Sequence, residues 1–279
     1  MAEPPAPVRS ALHPSASPAG TPMSYEHLRV HAEGPVGWLE FHRPPRNVFT
    51  PAMIGEVLTA LGALGADAAV RTIVLASAVP GHFSVGADLA LFASLGPRGI
   101  GQWIAQVHEI VRALRRSAKP LLAAIHGTAV GGGLEMTFHC DVRFCAEDAR
   151  LGLPEANVGF IPPMGTTLAL PRLLGRHRAI RFLYDAATVD APRALALGLV
   201  DELAPPDALR ARVQAYGEEL ATRPPEVLAA IRRAIGENDP LDFEQALRRE
   251  YDTALELART ENFREGVQAF LDKRKPQWK

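Results

Sequence analysis

Apolar and polar positions change their spacing several times along the chain. Leu28 to Ala32 and Val36 to Phe41 are short runs of strand character on either side of Glu33-Gly34-Pro35, a turn signal that predicts a hairpin-like pair. Met53, Val57, Leu61 and Leu64 then recur at helical spacing, with Thr50 placed as an N-cap and Pro51 at the first helical position. Thr72 to Ala76 is continuously apolar and short, as a buried strand is. Ile104, Val107, Val111 and Leu114 mark an amphipathic helix ending in Arg112, Arg115 and Arg116, charges that suit a helix C-terminus. Leu121 to Ile125 and Val142 to Cys145 read as two further buried strands. Strands alternating with helices predict an α/β core.

From about Arg176 the strand signals nearly vanish. Helices are expected over Arg178 to Ala187, Pro192 to Leu197, Ala208 to Thr222, Pro225 to Ile235 and Phe243 to Arg259. Asp190 before Pro192 is a plausible N-cap, and Gly198 a stop for the same helix. At the other end, residues 1–24 hold six of the 24 prolines and are rich in Ala and Ser. That composition predicts a disordered tail, and it lacks the cationic start and apolar core of a secretory signal. The expected organisation is therefore a tail over 1–24, an α/β core over 25–205 and a helical region over 206–279.

Composition narrows the function classes. The 279 residues are 47% hydrophobic and 22% charged, enough to bury the core of one large domain. A net charge of −1 offers no broad footprint for nucleic acid or an anionic membrane, so any anion must be held locally. No apolar run approaches the roughly 20 residues of a membrane-spanning helix. Cys140 and Cys145 lie in an apolar stretch with neither disulfide-framework nor metal-ligand spacing, so no metal is expected and a reducing, cytoplasmic setting fits.

Two glycine-rich loops follow buried strands. Gly81-His82-Phe83-Ser84-Val85-Gly86-Ala87-Asp88-Leu89 can turn backbone amides into a cleft. His126-Gly127 through Gly131-Gly132-Gly133-Leu134-Glu135 places three glycines where a helix would start, which suits either an oxyanion at free amides or only tight packing. It lacks the Lys-Ser/Thr of a phosphate loop. Glu135 and Glu155, the latter in Leu153-Pro154-Glu155, can act as an acid–base pair if their surroundings separate their pKa values; each could equally complement a helix start.

Taken in order, Arg43-Pro44-Pro45-Arg46-Asn47, Phe83 to Leu89, Gly131 to Glu135, Pro154-Glu155, Ile161-Pro162, Leu170 to Gly175 and Ala196 to Asp201 resemble the crotonase superfamily, typified by enoyl-CoA hydratase. The resemblance implies a spiral of ββα units followed by a helical trimerisation region, assembled as a trimer or a dimer of trimers. It implies an oxyanion hole at the Ala87 and Gly132 amides, and Glu135 and Glu155 as catalytic glutamates. It places an acyl-CoA thioester, which is substrate and not cofactor, near Arg46, Asn47, Val48, Asp88 and Leu89, with Lys273 or Lys275 at a phosphate. Both glutamates together favour hydration of a 2-enoyl-CoA; an isomerase, lyase or decarboxylase is the enzymatic alternative, and an RNA-binding homologue the non-enzymatic one, disfavoured by the charge. Val85, Pro163 and His139 depart from the common pattern. His139, four residues after Glu135, either approaches that carboxylate or substrate, or is a buried structural histidine. His126 and Asp88 read as structural, and Trp103, Phe92 and Leu95 as acyl-pocket lining or core.

Overall fold

A computed structural model describes residues 24–238 and 241–279; the expected disordered tail, except for Ser24, lies outside the described residues. In chain order the elements are β1 (Leu28–Glu33), β2 (Val36–Phe41), α1 (Pro51–Ala66), β3 (Thr72–Ser77), β4 (His82–Ser84), α2 (Leu89–Ser94), α3 (Pro97–Arg116), β5 (Leu121–Ile125), β6 (Thr128–Val130), α4 (Gly132–Thr137), β7 (Val142–Ala146) and β8 (Arg150–Gly152). A 3₁₀ turn (Pro154–Val158) follows, then α5 (Thr166–Leu174), α6 (Arg176–Asp185), β9 (Thr188–Asp190), α7 (Ala191–Leu197), β10 (Glu202–Ala204), α8 (Leu209–Ala221), α9 (Pro225–Asn238), α10 (Phe243–Ala258) and α11 (Glu261–Leu271).

Among the described residues the strands form two sheets, β1-β2-β3-β5-β7-β10 and β4-β6-β8-β9. Each long strand of the first sheet, β3, β5 and β7, passes directly to a short strand of the second, β4, β6 and β8, before a helical segment returns the chain. Pairing is parallel throughout both sheets except at β1–β2 and β8–β9. This repeated strand–strand–helix winding is the spiral that the family resemblance implied. β3 and β5, buried along their whole length, read as unbroken apolar runs because both faces are buried, with α8 packed against them.

The local chemistry follows the caps. Thr50 Oγ1 accepts from Met53 N at the start of α1, and Asp190 Oδ1 accepts from Arg193 N at the start of α7, which Gly198 ends at φ +86°. The buried stripe of α3 is Trp103, Val107, Ile110 and Leu114, rotated by about one residue from the expected set; Ile104 and Val111 are only partly buried. The core is centred on Trp38, Phe41, Phe49, Phe83 and Phe144, and Phe41 meets Phe49 and Phe83 edge-on at 5.3 and 5.4 Å. Burying side chains of this size stabilises the fold by roughly 1.5–3 kcal/mol each.

The three-residue strands β4, β6, β8, β9 and β10 are absent from the sequence reading because so short a segment has no period to display. α5 and α11 are likewise additions; α5 runs through Pro171, a residue that reads as a breaker. The helix expected over 178–187 is α6, which stops at Ala186 in a left-handed conformation. α8 inserts Leu209 and Val213 into the sheet's hydrophobic core, so that layer extends past residue 205. α9 is fastened by Arg232, which donates to Asp141 and to the Leu114 and Ser117 carbonyls at the end of α3. Among the described residues no helix is long and apolar enough to cross a membrane.

Candidate active site

The loop after β4 is held by backbone and hydroxyl contacts that leave one amide over. Phe49 N donates to the Gly86 carbonyl at 2.7 Å, and Asp88 N donates to the Phe49 carbonyl at 3.3 Å, forming a parallel bridge between Phe49 and Ala87. In that geometry the Ala87 amide faces away from Phe49. Ser84 Oγ accepts from Gly86 N and donates to the Asn47 carbonyl, which fixes the turn from beneath. Gly86 sits at φ +81°, and a Cβ there would lie 3.0 Å from Gly132 N. Glycine is therefore required both for the turn and to leave the Gly132 amide uncovered. Gly132 opens α4, so its N–H has no intrahelical acceptor, and neither it nor the Ala87 N–H donates to any acceptor among the described residues.

The three consecutive glycines do different things. A Cβ on Gly133 would stand 2.6 Å from Ser84 Cβ, so tight packing accounts for that position. A Cβ on Gly131 would lie 3.1 Å from Glu155 Oε1, which brings the second glutamate against the loop that leads to the first. Gly131 N also donates to the Gly152 carbonyl at 3.0 Å, tying the strand that precedes Glu155 to the start of α4.

Glu135, in the first turn of α4, is 1% exposed. Its Oε2 accepts from Met164 N at 2.8 Å and from Thr166 Oγ1 at 2.7 Å; its Oε1 is buried and unpartnered. Burial, and then the negative charge of Glu155, push its pKa up to about 8 against the pull of those two donors. Glu155 is held by the 3₁₀ turn, partly buried, with Oε2 buried and unpartnered and its pKa also raised by burial. Two carboxyls that sense each other's charge, each with a free oxygen, can share one proton near neutral pH and hold a small polar reactant between them.

The remaining expected residues are distributed unevenly. Asp88 caps α2, its Oδ1 accepting from Ala90 N and Leu91 N, while Leu89 is 57% exposed and Arg46 is exposed with Val48 partly so. Asn47 differs from its neighbours: it is 0% exposed at φ +53°, accepts from Arg43 N and donates to Ser77 Oγ and the Phe83 carbonyl. It offers no surface to a ligand and acts instead as the keystone under the 83–87 loop. Lys273 is exposed in the C-terminal segment, where Arg274 pairs with Glu265 and Trp278 Nε1 donates to the Thr222 carbonyl; among the described residues no side-chain hydrogen bond or ion pair brings it to the loop of Ala87. His126 Nε2 donates to the Val79 carbonyl at 3.1 Å, a structural contact. Phe92 packs edge-on against Trp103 at 4.8 Å and Phe160 at 6.2 Å, so these rings join α2, α3 and the segment after Glu155.

The sequence reading passed over Met164 and Thr166. Met164 acts through its backbone N–H, which no side chain advertises, and Thr166 lies in Gly165-Thr166-Thr167, where only the cap-like composition before an apolar run was visible. Elsewhere, Glu26, His27 and Glu56 come together at the surface, but Glu56 already accepts from the Glu26 and His27 amides and so serves as a backbone cap. Both cysteines are free and buried, and burial pushes each thiol up to about 12.

A sequence model of the enoyl-CoA hydratase/isomerase family matches residues 31–279. A probable enoyl-CoA hydratase of Bacillus subtilis is 35% identical over 246 residues, covering 88% of this chain and 95% of that protein. The crotonyl-CoA hydratase of Syntrophomonas wolfei is 30% identical, covering 91% of this chain and 98% of that one. The crystal structure of an enoyl-CoA hydratase from Bacillus anthracis superposes with a TM-score of 0.87 at 29% identity, covering 91% and 99% of the two chains. With the spiral fold, the paired amides and the paired glutamates in place, this chain belongs to the enoyl-CoA hydratase/isomerase family of the crotonase superfamily.

Proposed function

We propose that this enzyme adds water across the double bond of a 2-enoyl-CoA to form the 3-hydroxyacyl-CoA, and catalyses the reverse dehydration. The observation that carries the reading is the pair of buried carboxyls, each with one unpartnered oxygen, beside two unengaged backbone amides. The Ala87 and Gly132 amides receive the thioester oxygen as negative charge moves onto it in the enolate; donors already oriented there need not reorganise during the reaction. Glu135 and Glu155 hold the water between their free oxygens. Glu135 takes the proton from the attacking oxygen while Glu155 delivers one to the α-carbon, so the pair begins and ends with one proton. The reverse reaction starts with that proton on Glu135, the state its raised pKa favours. The site is active with one proton on the pair, so the rate falls both in acid and above about pH 8.

Arg46 and Lys273 supply cations for the CoA phosphates, and Val48, Asp88 and Leu89 line its path. In this reading Lys273 acts from a neighbouring copy in a trimer or dimer of trimers built on the helical region, and the enzyme works in the cytoplasm. The test follows the loss of enoyl-thioester absorbance with crotonyl-CoA and longer or branched 2-enoyl-CoAs, with products weighed. A mass gain of one water that falls by about 10²–10⁴ in Glu135→Gln and in Glu155→Gln supports the pair. Product of unchanged mass moves the reading to isomerisation, and full hydration by either variant removes that glutamate from the mechanism.

A further inference from the structure

The segment between Glu155 and α5 is gripped by two histidines on consecutive carbonyls. His108 Nε2, from α3, lies 2.8 Å from the Pro163 carbonyl, and His139 Nε2, just beyond α4, lies 2.7 Å from the Met164 carbonyl. A carbonyl only accepts, so in both rings Nε2 carries the hydrogen and donates it. His139 is 7% exposed, and burial, with the charges of Arg115 on α3 and Arg232 on α9, holds its pKa low, so at pH 7 the ring is neutral. Asp141 pairs with Arg232 behind it. Met164 is therefore held at both ends by residues four apart in sequence: its N–H by the Glu135 carboxylate and its C=O by the His139 imidazole.

This bears on which oxygen of Glu135 reacts. The terminal torsion of a glutamate is soft, and only fixed donors keep its two oxygens from exchanging. Here the donors to Oε2 are Met164 N–H and Thr166 Oγ1, and Oε1 is left without a hydrogen-bond partner. We propose that His139 is a positioning residue that, with His108, fixes Met164 from both sides: His108 holds the Pro163 carbonyl of the peptide group that carries the Met164 N–H, and His139 holds the carbonyl of the next peptide group, so that this N–H pins Oε2 of Glu135 and leaves Oε1 as the oxygen that exchanges protons. The inference rests on Glu135 as the proton-transfer group. Its charged form is favoured by the pinned donor and opposed by burial and by Glu155, so loosening the clamp moves the Glu135 titration upward.

The experiment compares wild type with His139→Met, which keeps volume but loses the donor, and His139→Gln, which keeps a donor. Its main readout needs no substrate: the ¹³C titration of the Glu135 carboxyl, assigned by its disappearance in Glu135→Gln. The midpoint is expected to rise by about one pH unit in His139→Met, as loss of one hydrogen bond to a charged group implies, and to return in His139→Gln. Thr166→Val, which removes the other donor, moves it in the same direction. With crotonyl-CoA, kcat of His139→Met falls about tenfold to a hundredfold while KM stays within about twofold, as expected for a misplaced group that does not bind substrate. A midpoint that stays put in a folded His139→Met overturns the proposal and leaves the histidine a packing residue. Should that variant not fold, His108→Met is read by the same midpoint, with the same meaning. Absence of turnover with any enoyl-CoA, or full hydration by Glu135→Gln, overturns the catalytic reading instead and is separable from the carboxyl titration.

Discussion

The second sheet with α4 and the C-terminal helices break the ordinary rule of burial in opposite directions. Around β4, β6 and α4 polar groups lack partners: Glu135 Oε1 and Glu155 Oε2 are buried and unpartnered, and the Ala87 and Gly132 amides donate to no acceptor among the described residues. On α10 the reverse holds. No residue of that helix is buried, and Phe243, Leu247, Tyr251 and Leu255, spaced four apart on one face, are 39–73% exposed. An unpartnered polar group in the interior raises the free energy of the fold and is retained where a reactant completes it. An apolar stripe left in water is retained where another surface covers it. The first region thus points to chemistry and the second to association.

The contrast is sharpened first at the amide pair. Gly86→Val should lower kcat/KM by about 10²–10³, because a Cβ would press on Gly132 N and remove one donor. Valine at φ +81° also strains the turn, so a lowered thermal midpoint is expected while far-UV circular dichroism retains the overall secondary structure; wild-type turnover in this variant would sever the amide from the mechanism.

A second test reads the burial cost of Glu135. Below its ordinary value near 4.5 the carboxyl is protonated in both states; between there and about 8 it ionises only in the unfolded chain, which stabilises that chain. Wild type should therefore lose stability relative to Glu135→Gln as pH rises over this window, on the order of a few kcal/mol by pH 8. Urea unfolding at pH 5 and pH 8 checks the sign: a gap between the two proteins that does not widen with pH refutes it.

On the other side of the comparison, Leu247→Glu with Leu255→Glu places charge in the α10 stripe. Sedimentation should show a smaller species with its secondary structure intact, and an unaltered sedimentation coefficient would mean that the stripe is not covered by another copy. The smallest effect is expected at the surface ion pair of Arg233 and Glu256, 3.0 Å apart and half-exposed on both sides. Arg233→Ala should change stability by no more than about 1 kcal/mol, less at high salt.

Much of this was legible before the fold. The α1 and α7 boundaries followed from Thr50-Pro51 and from Asp190 and Gly198, because capping depends on neighbours in sequence. β3 and β5 were visible as apolar runs, because both of their faces are buried. Glu135, Glu155, Ala87 and Gly132 were named from ordered motifs whose glycines mark close backbone approach. By contrast, Asn47 read as a ligand contact from its place in the Arg43 to Asn47 motif, and only the fold shows its amide wholly engaged by Ser77 and Phe83.

The sequence by itself determined the α/β alternation, the helix caps, the apolar faces and the residue types available for acid–base chemistry, all of which rest on local propensity and spacing. Tertiary structure alone decided that residues 49, 87 and 132 meet, that Glu135 is flanked by Met164 and Thr166, and that His139 turns to the Met164 carbonyl and not to Glu135. These contacts span 25 residues or more, and in most of them at least one partner is a backbone amide or carbonyl common to every residue, so no side-chain pattern encodes them locally.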